Sequence, residues 1–232
     1  MSARRGTESK ESFPIIWGRR NTMSDQQKNV PREYYYDKYR GIDPIEASQR
    51  TGLAFDSARG RFELCVLGHK LYAEWPEYRL LPADEGSCPK MQLDFCMEIV
   101  AARYIIEGID TPARGGFKAY RELPWGEIYD ANFQGRCIKR LAYSFGTKLE
   151  KFNKAAEALS GIKLERGDAA FDMPFLGSVV CRLILWGPDD EFPPSAQFLF
   201  SDNAQFAFNA EDLAAVGDVV IGALKEVAAG MI

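Results

Sequence analysis

The stretch SVVCRLILWGPDDEFPPSAQFLFSDNAQFAF, residues 178–208, decides the fold of this chain. Residues 179–186 form an almost unbroken apolar run rich in β-branched and aromatic side chains, which is typical of a strand buried on both faces. An acidic, proline-rich corner follows. Two shorter runs, residues 197–200 and 205–208, are then separated by the turn formers Ser-Asp-Asn. The stretch therefore predicts three strands of a central sheet.

The rest of the chain supplies further strands and several helices. Alternating side chains over residues 53–75 predict a meander of three strands, and the mostly apolar residues 91–107 predict a buried helix. Apolar side chains recur at every fourth position from Tyr129 to Phe145, which predicts an amphipathic helix. We therefore expect an α+β fold of one domain, with a largely antiparallel sheet and helices packed on one of its faces.

Local signals indicate where helices and the domain begin. Asp43 before a proline predicts a helix start, residues 147–150 form a capping-box pattern, and Asn209 is placed to cap a last helix. Residues 1–30 are polar and lack periodicity, so we expect a disordered N-terminal extension followed by a single domain over residues 31–232.

The composition argues against several classes of protein. With 232 residues, 46% hydrophobic and 27% charged, the chain suits one globular domain with a sizeable core. The formal net charge of −4 argues against nucleic-acid or anionic-membrane binding, which needs a basic surface. No apolar run reaches the roughly 20 residues that span a bilayer, and no signal-peptide pattern opens the chain. We expect a cytoplasmic protein that binds neither nucleic acid nor membrane.

Cysteine and histidine chemistry is limited. None of the five cysteines has a partner at CxxC spacing, so we expect reduced, buried thiols and no zinc or iron–sulfur site built by this chain alone. His69 is the only histidine, and any hydrolase triad or histidine-ligated cofactor would have to use it. Its place at the tip of a predicted hairpin equally suits an ordinary turn residue.

The acidic corner and one arginine are the strongest candidates for a site. Asp189, Asp190 and Glu191 are consecutive acids, and carboxylates are the ligands that Mg²⁺ and Ca²⁺ prefer. A solvated turn whose acids cap backbone amides is the alternative. Arg182 is the single charge in the apolar strand, so its guanidinium must be paired or reach an edge. We expect an ion pair with Glu191, Asp190 or Asp168, or else a role in anchoring a ligand carboxylate or phosphate.

Four aromatic residues near the corner and the ELPWGE turn form a second candidate. Trp125, Tyr129, Trp186 and Phe192 would make an apolar pocket wall if the turn lies beside the acidic corner. An aromatic core is the more common explanation for such residues.

Two basic segments are weaker candidates. The loop of residues 113–118 combines glycines with two cations and could cradle an anion, or it could be a plain connection. The helix face with Arg136, Lys139 and Arg140 could receive an acidic partner or a propionate-bearing cofactor, although most such faces are simply solvated.

A set of short motifs in the C-terminal half carries a resemblance to a known family. The chain resembles the prokaryotic family called domain of unknown function 3786 over roughly residues 33–228. The motifs are Glu122-Leu123-Pro124 with Gly126, Gly167-Asp168, Pro174, Leu185-Trp186, Asp190-Glu191-Phe192-Pro193, Leu199-Phe200 and Glu211-Asp212-Leu213.

The resemblance implies an α+β domain frequent in anaerobes, with some members encoded beside corrinoid or iron–sulfur proteins. It supplies no established catalytic residues. This chain departs from the family pattern at Trp125, where a glycine usually follows the proline, and at Ser201, which separates Leu-Phe from the acid that usually follows directly.

These observations lead to two functional predictions. The first is a non-catalytic binding or accessory protein in corrinoid or tetrapyrrole metabolism of an anaerobe, with a corrinoid or haem, or a protein that carries one, as partner. The second is a metal-assisted enzyme that acts on a small anionic substrate through Asp190, Glu191 and Arg182. The predicted ligand-binding residues are Arg182, Asp190, Glu191, Trp125, Trp186 and Phe192.

Overall fold

A computed structural model describes residues 25–86 and 88–230 of the chain. The helices are α1 (Asp25–Arg40), α2 (Pro44–Thr51), α3 (Phe95–Glu107), α4 (Gly126–Phe133), α5 (Arg140–Phe145), α6 (Leu149–Ala158), α7 (Ala204–Ala207) and α8 (Ala210–Ala228). The strands are β1 (Ala54–Asp56), β2 (Arg61–Val66), β3 (His69–Glu74), β4 (Leu80–Pro82), β5 (Phe117–Ala119), β6 (Ile162–Leu164), β7 (Ala169–Pro174), β8 (Val180–Trp186) and β9 (Ser195–Ser201).

The first sheet is an antiparallel meander in the order β1-β2-β3-β4. On β2 the side chains of Phe62, Leu64 and Val66 are buried, whereas Glu63 and Cys65 point away from the core. This is the period-two alternation of a strand with one covered face. The meander predicted for residues 53–75 is confirmed, and β4 extends it.

The second sheet has the order β5-β9-β8-β7-β6, and each neighbouring pair is antiparallel. Its central strand β8 buries Cys181, Leu183, Ile184 and Leu185. Helices α5 and α6 pack against this sheet, and α8 packs against α3 and α6. The predicted α+β class with antiparallel strands is confirmed, but the strands form two sheets.

The strand predicted at residues 205–208 is wrong. Residues Ala204–Ala207 form the short helix α7 instead, and β5 occupies the edge of β9. The Asn203 amide donates to the Thr111 carbonyl oxygen at 2.7 Å and to the Ser178 hydroxyl at 2.8 Å. These bonds turn the chain away from the sheet, and a four-residue apolar run cannot by itself distinguish strand from helix.

Helix caps were predicted with mixed success. The Asp43 carboxylate accepts from the Ile45 amide at 2.8 Å, and Asn209 accepts from the Asp212 amide at 3.0 Å, so both caps are confirmed. The capping box at residues 147–150 is wrong, because α6 begins after Lys148 and no side chain caps it.

The helix α1 begins at Asp25, inside the segment expected to be disordered. Residues 1–24 lie outside the described part of the chain. The division of the chain near residue 31 stays a prediction.

None of the helices in the described residues is long and apolar enough to cross a membrane.

The amphipathic helix predicted for residues 129–145 is continuous but irregular. A π-helical segment, Gln134–Lys139, joins α4 to α5. Such segments are rare and occur frequently at functional sites.

Candidate functional site

Arg182 is paired, but not with the partners that the sequence suggested. Its Nε donates to Asp172 Oδ1 at 2.7 Å and its Nη2 donates to Asp172 Oδ2 at 2.8 Å. Asp172 lies opposite Arg182 in the register of β7 and β8, and the Phe117 ring stacks 3.6 Å from the guanidinium carbon. The hydrogen bonds that Arg182 donates to Asp172 raise the pKa of Arg182.

The expected ion pair of Arg182 with Glu191, Asp190 or Asp168 is therefore wrong. The physical reason is proximity: a residue directly across an antiparallel pair is nearer than any residue of a later corner. Asp168 is occupied elsewhere, since its carboxylate accepts from the Gly187 amide at 2.7 Å.

The acidic corner is a turn capped by its own side chain. The Asp189 carboxylate accepts from the Glu191 amide at 2.9 Å and from the Phe192 amide at 2.7 Å. Asp190 and Glu191 are exposed. Within residues 25–86 and 88–230, no group of three or more His, Cys, Asp or Glu side chains is placed to hold a metal ion. The geometry matches the alternative of a solvated, self-capped corner.

The two aromatic residues near the corner do not line the groove that contains Trp125. Trp186 is half-buried and packs against the backbone near Gly167, and Phe192 is 65% exposed. Neither lies among the residues that surround Trp125.

The loop of residues 113–118 does cradle an anion, but the anion is a side chain of the protein. The Asp202 carboxylate accepts from the Arg114 amide at 3.0 Å and from the Gly116 amide at 3.1 Å. These donors lower the pKa of Asp202. The Arg114 and Gly116 amides thus have a hydrogen-bond acceptor within the protein itself.

Asp202→Asn is expected to speed amide hydrogen exchange at Arg114 and Gly116 at pH 7, because a neutral side chain accepts more weakly. Because the pKa of Asp202 is lowered, the carboxylate keeps the loop closed until the pH falls through that lowered pKa, where the two proteins should converge. Asp190→Asn, at an exposed acid without these bonds, serves as the control. Equal exchange in wild type and Asp202→Asn at pH 7 would contradict the assignment.

His69 has a structural setting. Its Nδ1 lies 3.2 Å from Nε2 of the buried Gln92, and burial lowers the pKa of His69. It lies at the start of β3.

Trp125 lies in a groove formed by four parts of the fold. The groove has a volume of about 260 Å³ and lies between α1, α3, α4 and the start of α8. We call it the Trp125 groove; it is lined by Tyr34, Tyr35, Lys38, Arg103, Glu107, Trp125, Tyr129, Asn209, Ala210 and Glu211. Neither Arg182 nor the acidic corner is part of this lining.

The Trp125 side chain is held in an unusual position. It is 75% exposed, and its backbone has a φ of 65°, in the left-handed region that favours glycine. This backbone conformation immediately precedes α4. It also explains why a glycine suits this position of the turn.

A buried ion pair forms the floor of the Trp125 groove. Arg103 Nη1 lies 3.1 Å from Asp212 Oδ1, and both residues are buried. Burial raises the pKa of Asp212 to about 7, although Arg103 acts in the opposite direction. Arg103 also lies 3.4 Å from Glu107 and 3.7 Å from Glu211, and it is stacked near the Tyr35 ring at 5.1 Å.

A smaller cavity adjoins the groove at the π-helical segment. This inner cavity of about 40 Å³ shares Tyr129 and Glu211 with the Trp125 groove. The Tyr120 and Phe133 rings, stacked 4.2 Å apart, form part of its wall. Its volume suits only one or a few water molecules or a small group.

An open cleft with two arginines shares lining residues with the inner cavity. The arginine cleft is lined by Ala131, Asn132, Gly135, Arg136, Arg140 and Asp218 and has a volume of about 710 Å³. It shares Asn132 and Arg136 with the inner cavity. Arg140 Nη1 lies 3.1 Å from Asp218 Oδ1, and Arg136 also pairs with Asp218. The inner cavity therefore has lining residues in common with both the groove and the cleft.

The sequence matches the family described as domain of unknown function (DUF3786) over residues 43–223. The chain belongs to this family. The predicted resemblance is thereby confirmed. Comparisons with curated proteins and with solved structures give no match. The DUF3786 region contains Trp125, Tyr129, Arg103 and both arginines of the cleft, whereas the α1 wall of the groove lies before it.

Sequence reasoning missed several residues that surround Trp125 in the DUF3786 region and in α1. Tyr34 and Tyr35 belong to the run EYYYDKY, which lies in α1. Arg103 is a basic residue within the mostly apolar helix α3, the same kind of signal that drew attention to Arg182. A search for single cations in apolar helices could have found it.

Proposed function

We propose that this protein is a non-catalytic binding protein and that the Trp125 groove binds a ligand with a flat ring system. The observation that carries this proposal is the exposed Trp125, held in left-handed backbone within a groove that Tyr34, Tyr35 and Tyr129 also line. A non-glycine residue in this conformation costs about 1–2 kcal/mol. Burial in the core does not offset that cost here, since most of the indole is in solvent.

The other groove side chains suit recognition of a ring. Tyr34 is 48% exposed, and the Lys38 ammonium lies 4.6 Å from its ring centre. Aromatic faces stack on planar ligands, while a few polar groups set the orientation. Arg103 is held by Asp212 beneath the groove, so it stabilises the floor.

A corrinoid or other tetrapyrrole is the specific ligand that we propose, supplied free or on a protein that carries it, in the metabolism of an anaerobe. The aromatic walls would stack on the macrocycle, and Lys38 would pair with a propionate or a similar acid. The groove volume of about 260 Å³ is slightly below the usual range for ligand sites, so it would hold an edge of the ring. His69 is not part of the groove lining, so this mode of binding uses stacking and charge.

The observations give less support to the metal-assisted enzyme. Arg182 is engaged bidentately by Asp172, and the Asp189 carboxylate is used by the amides of its own turn.

The proposed function is tested by titrating the purified protein with haem and with cobalamin while following tryptophan fluorescence and ligand absorbance. We expect saturable binding that falls at least about tenfold in Trp125→Ala, given roughly 1–3 kcal/mol for a lost stacking contact. Tyr143→Ala is the matched control, because Tyr143 is 68% exposed and lies outside the groove lining. The proposal fails if neither ligand binds or if both variants lose affinity equally.

Trp125→Gly should raise the free energy of unfolding by about 1 kcal/mol, because glycine adopts a positive φ without strain. Trp125→Ala keeps the strained conformation and should not show this gain. Urea denaturation of the two variants and the wild type measures the difference. A destabilised glycine variant would show that indole packing contributes more to folding than the backbone strain costs.

A further inference from the structure

The structure assigns an oxyanion-binding subsite to the arginine cleft: we propose that Arg136 and Arg140 bind a carboxylate or phosphate group of the ligand whose ring lies in the Trp125 groove. This inference rests on the proposed function, because it adds a second contact for the same ligand. The ligand would then be amphiphilic, with a flat ring system at one end and an oxyanion at the other.

The charges of the cleft favour an anion. Its lining contains two guanidinium groups and one carboxylate. The side chains of Arg136 and Arg140 are 32% and 33% exposed, whereas that of Asp218 is 14% exposed. The two guanidinium side chains are therefore more exposed to solvent than the carboxylate. Planar guanidinium groups match the geometry of carboxylate and phosphate oxygens, which they bind bidentately.

The two arginines share one internal counter-charge. Asp218 on α8 accepts from both guanidinium groups, so it competes with an incoming oxyanion for them. Burial, together with the neighbouring Arg136, lowers the pKa of Arg140. An oxyanion that enters the cleft would relieve the repulsion between two adjacent cations.

The approach to the arginines is open. A Cβ atom built on Gly135 would meet no other heavy atom within 4 Å, so this part of the rim is empty. The cleft has a volume of about 710 Å³, which is ample for a phosphate or a carboxylate-bearing chain.

The separation of the two subsites sets the size of the ligand. Tyr129 lines the groove and Arg136 lines the cleft, seven positions further along the same continuous helix. At about 1.5 Å per residue this is roughly 10 Å. The inner cavity shares lining residues with both of them. A ligand whose acidic group lies roughly 10 Å from its ring would contact both the Trp125 groove and the arginine cleft.

Isothermal titration with inorganic phosphate and, separately, with succinate tests the subsite without any ring compound. We expect saturable binding of at least one of the two, weakened tenfold or more in Arg140→Ala. Lys139→Ala is the matched control, since it removes an exposed cation of the same segment that does not line the cleft, and it should change the affinity less than twofold. Comparison of the two probes identifies which oxyanion the cleft prefers.

Asp218→Asn adds a readout that damage to the fold would not produce. Removing the internal carboxylate should tighten oxyanion binding several-fold, because the competing negative charge is gone. The proposal is overturned if neither probe binds saturably, if Lys139→Ala and Arg140→Ala lose affinity equally, or if Asp218→Asn weakens binding. Phosphate or succinate binding that persists while haem and cobalamin fail to bind would refute the proposed function and leave the subsite standing.

Discussion

Arg103→Met is expected to lower the free energy of unfolding by about 3–5 kcal/mol at pH 8, because it leaves the buried Asp212 carboxylate without its counter-charge. Methionine retains much of the side-chain volume, so packing changes little. Urea denaturation at pH 8 and at pH 5 measures the effect.

The loss should be clearly smaller at pH 5. The pKa of Asp212 is about 7 in the folded protein, above the ordinary value of about 4, so the native state holds this proton more tightly than the unfolded chain does. The stability contributed by this group therefore falls as the pH rises from about 4 to about 7. Removing Arg103 raises the pKa of Asp212 further, which extends the decline above pH 7.

An exposed ion pair provides the control for this prediction. Arg79 lies 2.8 Å from Glu74 on the surface, with side chains that are 66% and 38% exposed. Arg79→Met should change the free energy of unfolding by less than about 1 kcal/mol at either pH. A loss in Arg103→Met that is the same at pH 5 and pH 8 would contradict the role assigned to Asp212.

Gly126→Ala is expected to destabilise the protein by at least about 2 kcal/mol. A Cβ atom at this position would overlap the Tyr120 carbonyl oxygen, and backbone at a buried site cannot move away easily. The Gly126 amide also donates to the Leu123 carbonyl oxygen at 2.9 Å, which closes the turn that carries Trp125. Thermal or urea denaturation measures the loss.

Gly135→Ala is the matched control on the same continuous helix. Apart from its chain neighbours and the backbone of its own helix, no heavy atom lies within 4 Å of the added methyl group, and alanine favours the helix by about 1 kcal/mol over glycine. The variant should be as stable as the wild type or slightly more stable. If Gly126→Ala were equally harmless, the close approach of Gly126 to Tyr120 would not be present in solution.

Features fixed by short-range chemistry were predictable from the sequence. The apolar run that became β8, the alternation of β2 and the caps at Asp43 and Asn209 depend on neighbouring residues, and all four are confirmed. The capping box before α6 failed because a motif alone does not ensure that its side chains adopt the capping conformation.

Features that depend on distant residues were not predictable. The partner of Arg182 is Asp172 on a neighbouring strand, which pattern reading did not identify as a strand. The Trp125 groove joins residues of four elements far apart in the chain, so no local pattern contains it. Trp125 itself was within reach of sequence reasoning, because a bulky residue in a turn that usually carries glycine indicates unusual backbone.

The π-helical segment has a consequence for how the candidate site could change. A π turn contains about one residue more than an α turn, and one residue corresponds to a rotation of about 100° about the helix axis. The wide turn therefore absorbs one extra residue, and the helical turns on either side keep the relative direction that they would have in a regular helix. Loss of a single residue within Gln134–Lys139 would let the helix continue regularly with Arg140 and Tyr129 in nearly the same relative direction. The segment is thus a place where this helix can lose one residue and keep its aromatic and basic groups aligned.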